Sequence, residues 1–184
     1  MSALKNEGRA EIVACCDIIP ERAIEAAMNI GGTCRSFGDY SMMLKETDCD
    51  LVSICTPSGL HPYQAAEAAR AGRNILTEKP QGCSLEACDM AIEAADKAGV
   101  KYMVVKQNRF NPGIQLLRRA YDAGRFGKIY MILANVLWTR PQEYYDMAPW
   151  RGTHELDGGC LSNQAAHYVD MVQWFGGDIE DVAA

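Results

Sequence analysis

The chain has 184 residues, 48% of them apolar and 23% charged, with 16 Gly and 7 Pro, a composition that can bury a core and excludes disordered and fibrous proteins. The net charge of −6, with no dense run of Lys or Arg, gives no electrostatic support for nucleic-acid or anionic-membrane binding. No apolar run approaches the roughly 18 to 20 residues of a membrane span, and Met1 to Glu7 carries neither a signal-peptide nor a lipidation pattern, so a cytoplasmic protein without a membrane partner is expected.

Up to about residue 105, short apolar runs alternate with helical periodicity. Ile12 to Cys16 reads as a strand buried on both faces. Pro20 starts a helix that Gly31-Gly32 stops. A short extended piece around Cys34 to Phe37, a helix opened by Asp39 and the strand Leu51 to Cys55 follow. Then come a helix from about His61 to Ala71, the strand Asn74 to Thr77, a helix from Leu85 to Ala98 stopped by Gly99, and the strand Tyr102 to Val105. This alternation predicts a doubly wound α/β fold, a parallel sheet covered on both faces.

Beyond Val105 the texture changes. A helix is expected from about Pro112 to Ala123, a long strand of a different sheet over Lys128 to Trp138, an irregular stretch over Thr139 to Asp157, and a helix from about Leu161 to Phe175. The boundary between the two regions falls near residues 106 to 111, giving domains of 1–108 and 109–184. The eight cysteines include no CxxC pair, so they are read as reduced and structural, and no metal site is expected.

Several polar residues stand where open sheets bind ligands. Asp17 follows a strand, where a carboxylate can hold the ribose hydroxyls of NAD or serve as an ordinary turn residue. Ile18 and Ile19 offer no cation for the 2′-phosphate of NADP, so NAD is the expected cofactor. Thr56-Pro57-Ser58 ends the next strand, as a ligand contact or a plain turn. Glu78-Lys79-Pro80 ends another, where Lys79 can meet a substrate hydroxyl or form a surface ion pair, and where a cis bond before Pro80 is possible. If the chain is helical from Leu161, then Asn163, His167 and Asp170 share one face, and His167 is placed either to take a proton from an alcohol or to make a structural hydrogen bond.

Asp17, Thr56-Pro57 with His61, Ala68 and Gly72 before Glu78-Lys79-Pro80, and Asp157-Gly158-Gly159 with His167 and Asp170 together resemble the Gfo/Idh/MocA oxidoreductase family. The resemblance implies a Rossmann domain followed by part of an α/β domain with an open sheet, a homo-oligomer, and a small-molecule substrate. It implies catalytic roles for Lys79, His167 and Asn163, and cofactor contacts from Asp17, Thr56, Pro57, His61, Glu78, Lys79, Gln107, Trp150 and Arg151. Asn108-Arg109-Phe110-Asn111-Pro112, Trp138-Thr139-Arg140-Pro141 and Trp150-Arg151-Gly152-Thr153 look most like enzymes that oxidise the 3-hydroxyl of UDP-linked N-acetylated amino sugars. A free sugar or inositol-type dehydrogenase and an inactive binding module are the alternatives.

Two departures stand out. Many members carry Asp where this chain has Asn163, which keeps the hydrogen bond without the charge. The family's opening strand and GxGxxG turn are absent, and Met1 to Gly8 looks like the end of the helix that follows that turn. The chain is therefore expected to be an internal piece of a longer enzyme.

Overall fold

The computed structural model describes residues 8 and 10–183; apart from Gly8, the helix end expected over Met1 to Gly8 lies outside them. Strand β1 (Ala14–Cys16) pairs in parallel with β2 (Arg35–Phe37). Strands β3 (Leu51–Ile54), β4 (Asn74–Thr77) and β5 (Tyr102–Val104) form a second parallel ladder in the order β3-β4-β5. Parallel neighbours need crossovers, and the chain supplies helices for them: α1 (Pro20–Ile30), α2 (Tyr40–Glu46), α3 (His61–Arg70) and α4 (Leu85–Ala98).

The helix limits follow local chemistry. Pro20 occupies the first turn of α1, where its missing N–H costs nothing. Asp39 Oδ1 accepts from the Met42 N–H at 2.7 Å and the Ser84 hydroxyl from the Ala87 N–H at 3.2 Å, each satisfying an orphan donor. Gly99 ends α4 at φ +68°, a conformation only glycine adopts cheaply.

One core spans both ladders. Phe37 of β2 and Met43 and Leu44 of α2 belong to the same buried cluster as Val52, Ile54 and Ile75 of the second ladder. Ala65, Ala68 and Ala69 of α3 and Ala91 and Ala95 of α4 complete it, their small side chains letting the two helices pack closely together and α3 lie against the sheet. The expectation of strands buried on both faces needs correcting. β1 is only half-buried, and across β3–β5 the face bearing Ser53 is open, with Leu51 and Met103 exposed, because no helix among the described residues covers it.

After β5 come a single turn over Gln107–Phe110, α5 (Pro112–Asp122), the short α6 (Gln142–Asp146), a wide turn over Cys160–Gln164 and α7 (Ala166–Gly176). Two expectations fail here. Lys128 to Trp138 forms no strand: it finds no ladder partner among the described residues and leaves Tyr130, Leu133 and Leu137 largely exposed. The helix expected from Leu161 is broken at Ala165, whose N–H reaches the Cys160 carbonyl five residues back at 2.9 Å. Ring contacts fasten α7 instead, Tyr121 against Phe175 at 5.6 Å and Trp138 against Tyr168 at 5.7 Å.

The turn after β3 touches the distant loop before the wide turn. The Gly59 N–H donates to the Leu156 carbonyl at 3.1 Å, and a Cβ on Gly59 would lie inside contact distance of the Glu155 carbonyl oxygen. Gly59→Ala is therefore expected to push the 153–157 loop away and to cost about 1–3 kcal/mol, the usual range for overpacking, in a urea titration. An unchanged midpoint would show that this close approach does not exist in solution.

Candidate active site

The carboxyl ends of the parallel strands put Asp17, Thr56, Glu78-Lys79 and Gln107 along one edge, the edge at which open α/β sheets take ligands. Asp17 Oδ1 accepts from the Ile19 N–H at 2.8 Å, so one carboxylate oxygen holds the turn and the other is left for a ligand; Ile18 beside it is exposed. Thr56 is exposed, its hydroxyl donating to Gln64 Oε1 at 2.6 Å, and Pro57 begins the following turn. The Lys79–Pro80 peptide bond is cis. Glu78 turns back on its own loop, accepting from the Lys79 N–H at 3.1 Å.

His61 stands behind this edge rather than on it. It is buried, with Nδ1 2.8 Å from the Pro80 carbonyl and Nε2 2.7 Å from the Thr56 carbonyl, so it ties the two loops together and has no nitrogen left for a cofactor.

The second region closes onto the same edge. Lys79 Nζ donates to the Asn163 carbonyl at 2.7 Å and to Asn163 Oδ1 at 2.8 Å, across 84 residues of chain. Lysine has three N–H donors, so one remains. Asn163 Nδ2 in turn donates to Asp157 Oδ1, and Asp157 Oδ2 accepts from the Gly152 N–H at 2.8 Å. His167 is buried, with Nε2 3.0 Å from Gln107 Nε2 and a buried Nδ1 that has no partner among the described residues. The sequence placed Asn163, His167 and Asp170 on one helix face; the break at Ala165 separates Asn163 from α7, yet all three point at the strand-edge loops.

Charge decides what these groups can do. Burial holds Lys79 below the ordinary lysine pKa, aided by Lys106 and Arg140 and opposed by Glu78 and Asp157. Burial likewise lowers His167, and the Lys79 and Lys106 charges add to it against Asp170 and Glu78, which favours the neutral imidazole, whose lone pair can take a proton. An open cavity of about 420 Å³ lies alongside, with Trp138, Arg140, Tyr145, Asp157 and Gln164 in its wall.

Trp150 and Arg151 open the loop that ends in Asp157: the Arg151 guanidinium lies 4.3 Å from the Tyr144 ring and 5.0 Å from that of Trp150. Sequence reasoning missed Arg109, whose Nε and Nη2 clasp Asp170 at 2.8 and 2.7 Å while Lys106 Nζ stands 3.6 Å away. Arg109 and Arg118 also lie against the Trp174 ring at 4.8 and 4.9 Å. The available signal was Lys106-Gln107-Asn108-Arg109 directly after a strand end.

The donor set fits a dinucleotide: a carboxylate oxygen on Asp17, a spare N–H on Lys79 and an unpartnered buried nitrogen on His167 all belong to one strand edge and the helix facing it. Comparison with known proteins agrees. Residues 1–106 match the Gfo/Idh/MocA profile described as oxidoreductase family, NAD-binding Rossmann fold, and residues 114–184 match a Gfo/Idh/MocA C-terminal domain. The solved WlbA dehydrogenase from Bordetella pertussis, in complex with NADH and UDP-GlcNAcA, superposes with a TM-score of 0.91 at 48% identity, over 97% of this chain and 51% of that one. Levoglucosan dehydrogenase from Pseudarthrobacter phenanthrenivorans is 29% identical over 90% of this chain and 42% of its own. Inositol 2-dehydrogenase from Rhizobium meliloti is 28% identical over 96% and 50%. The chain thus spans about half the length of these relatives or less.

The Asp170 clasp is open to test. Burial pushes its carboxyl up, but the Arg109 hydrogen bonds and the Lys106 and Arg109 charges more than reverse this, leaving the folded pKa below the ordinary carboxylate value. Stability from the pair is then fully present above roughly pH 4 and is lost as pH falls through the lowered folded value. Asp170→Asn should cost about 2–3 kcal/mol in urea at pH 7, a difference that shrinks toward pH 2. A pH-independent difference would mean that the charge contributes nothing.

Proposed function

The chain belongs to the Gfo/Idh/MocA family of oxidoreductases, and from that premise we propose that it oxidises a sugar C–OH, at C3 of a UDP-linked N-acetylated amino sugar, with NAD as hydride acceptor. The observation that carries this reading is the convergence of Lys79, Asn163 and His167 at the strand edge, beside a cavity large enough for a sugar. The nucleotide-sugar branch is favoured because the 48%-identical relative was solved with UDP-GlcNAcA, whereas the levoglucosan and inositol enzymes are near 29%.

NAD, when bound, would supply the electrophilic carbon that receives the hydride. Asp17 would hold its adenosine ribose; Thr56, Pro57, Glu78, Lys79 and Gln107 line the edge along which it would lie, and Trp150 and Arg151 would meet it from the second region. Lys79 directs its remaining N–H at the substrate hydroxyl and fixes its orientation. His167 Nε2 takes the hydroxyl proton as general base; the Gln107 amide now occupies the lone pair that the hydroxyl would use. Asn163 fixes the ammonium of Lys79 by its two oxygen contacts. The assembled enzyme is a homo-oligomer acting on a small molecule in the cytoplasm; no described helix is long and apolar enough to cross a membrane.

The deciding experiment is the initial rate of NADH formation with UDP-N-acetylglucosaminuronate and, in parallel, with myo-inositol. Turnover of the nucleotide sugar is expected; turnover of inositol alone would transfer the protein to the polyol branch. His167→Ala should lower kcat by roughly 100-fold or more, and the acid limb of the wild-type kcat/KM profile should lie below the ordinary histidine value. An unchanged kcat would remove His167 from the role of base. Ile18→Arg should improve use of NADP relative to NAD, since a guanidinium there can pair with the 2′-phosphate. An unaltered preference would place the adenosine ribose away from Asp17.

A further inference from the structure

The Lys79 ammonium has an unusual environment for a half-buried charge. Both of its hydrogen bonds go to oxygens of Asn163, a neutral residue, and no carboxylate lies within ion-pair distance of Nζ among the described residues. Glu78, its neighbour in sequence, spends one carboxylate oxygen on the Lys79 main-chain N–H. Behind Asn163, however, stands a carboxylate with only 4% of its residue surface exposed. Asp157 receives the other end of the same amide, Nδ2, while its second oxygen is fixed by the Gly152 N–H.

We propose that Asp157 is a positioning residue that serves as the counter-charge of Lys79 through the side-chain amide of Asn163, forming the relay Asp157–Asn163–Lys79. An amide so placed is polarised in one sense from both ends: the carboxylate draws on its N–H, and the carbonyl oxygen facing the ammonium becomes more negative. The backbone is shaped for this. Gly158 and Gly159, at φ +78° and +82°, turn the chain directly after Asp157, and the wide turn over Cys160–Gln164 brings Asn163 back onto it. The relay also fixes the Asn163 amide, because the carboxylate can bond only its NH₂ end, leaving the oxygen for Lys79.

This deepens the reading of Lys79 given above and rests on it for its catalytic meaning, but the relay itself can be tested without substrate or cofactor. The charged or titratable groups around Lys79 are Glu78 on its own loop, Lys106 after β5, Arg140 and Asp157 from the second region, and His167 on α7. The experiment is competitive labelling of the purified protein with trace acetic anhydride across pH, with mass spectrometry of the Lys79 peptide, for wild type, Asp157→Asn and the exchanged pair Asp157→Asn with Asn163→Asp.

Loss of a carboxylate that favours the ammonium must lower the pH at which Lys79 becomes reactive. Asp157→Asn is expected to move the midpoint down by roughly half to one pH unit. The exchanged pair should restore it to the wild-type value or above, since it returns the charge one hydrogen bond closer. An unmoved midpoint with a lowered melting temperature would reduce Asp157 to a brace for the 152–158 loop and overturn the relay. If Asp157→Asn does not fold, Asp157→Ser, which removes the charge but keeps an oxygen that can accept from the Asn163 amide, takes its place; a lowered midpoint there supports the relay, and an unchanged one overturns it. Absence of sugar oxidation by the wild type would sink the catalytic reading while leaving these midpoints informative.

Discussion

The bond from Lys79 to Asn163 is the contact on which the site depends. It crosses 84 residues of chain and joins a loop at the carboxyl edge of β4 to the wide turn that precedes α7. A half-buried ammonium must find oxygen acceptors or be neutralised, because its desolvation is costly. Among the described residues those acceptors both belong to Asn163 of the second region, so satisfying Lys79 brings the two regions into register. His167 and Asp170 then arrive opposite Gln107 and Arg109, two and four residues past Val105, and the order of residues along α7 matches the order along the loop.

Several supports hold this arrangement from behind. His61 clamps the loops after β3 and β4 by their carbonyls, Gly59 admits the 153–157 loop at a distance no larger residue allows, and Arg109 and Arg118 both lie against the Trp174 ring. None of these is placed to touch a reacting atom; each limits where Lys79 and His167 can be. A catalytic base and an orienting donor misplaced by an ångström lose much of their effect, so rigid backing of this kind is part of the chemistry.

Much of the first region was legible in the sequence because its signals are local: Pro20, Asp39 and Gly99 start or stop helices by satisfying or withholding backbone hydrogen bonds within a few residues. The strand expected over Lys128 to Trp138 was not legible in the same way, since its apolar side chains specify a strand only when a neighbouring ladder exists. The kink at Ala165 was also hidden, since Asn163, His167 and Asp170 keep helical spacing in sequence whether or not the helix is continuous. The placement of Asp17 and Lys79 just past strands and of His167 on a helix was legible from local signals. The partners of these groups were not, because contacts such as Asp157 with Asn163 and Arg109 with Asp170 are made by folding and leave no periodic trace. His61 illustrates the converse: a polar residue beside a ligand edge reads as a contact, and only its two carbonyl partners reveal it as a tie behind that edge.

The central claim is that this strand edge oxidises the C3 hydroxyl of a nucleotide-linked amino sugar, and isotope transfer tests it most directly. UDP-N-acetylglucosaminuronate carrying deuterium at C3 would be incubated with the protein and NAD, and the reduced cofactor examined by mass spectrometry. The account predicts reduced cofactor one mass unit heavier than normal, with the label on the nicotinamide ring. Unlabelled reduced cofactor would place the reacting carbon elsewhere on the sugar, and no reduction at all would contradict the proposed reaction.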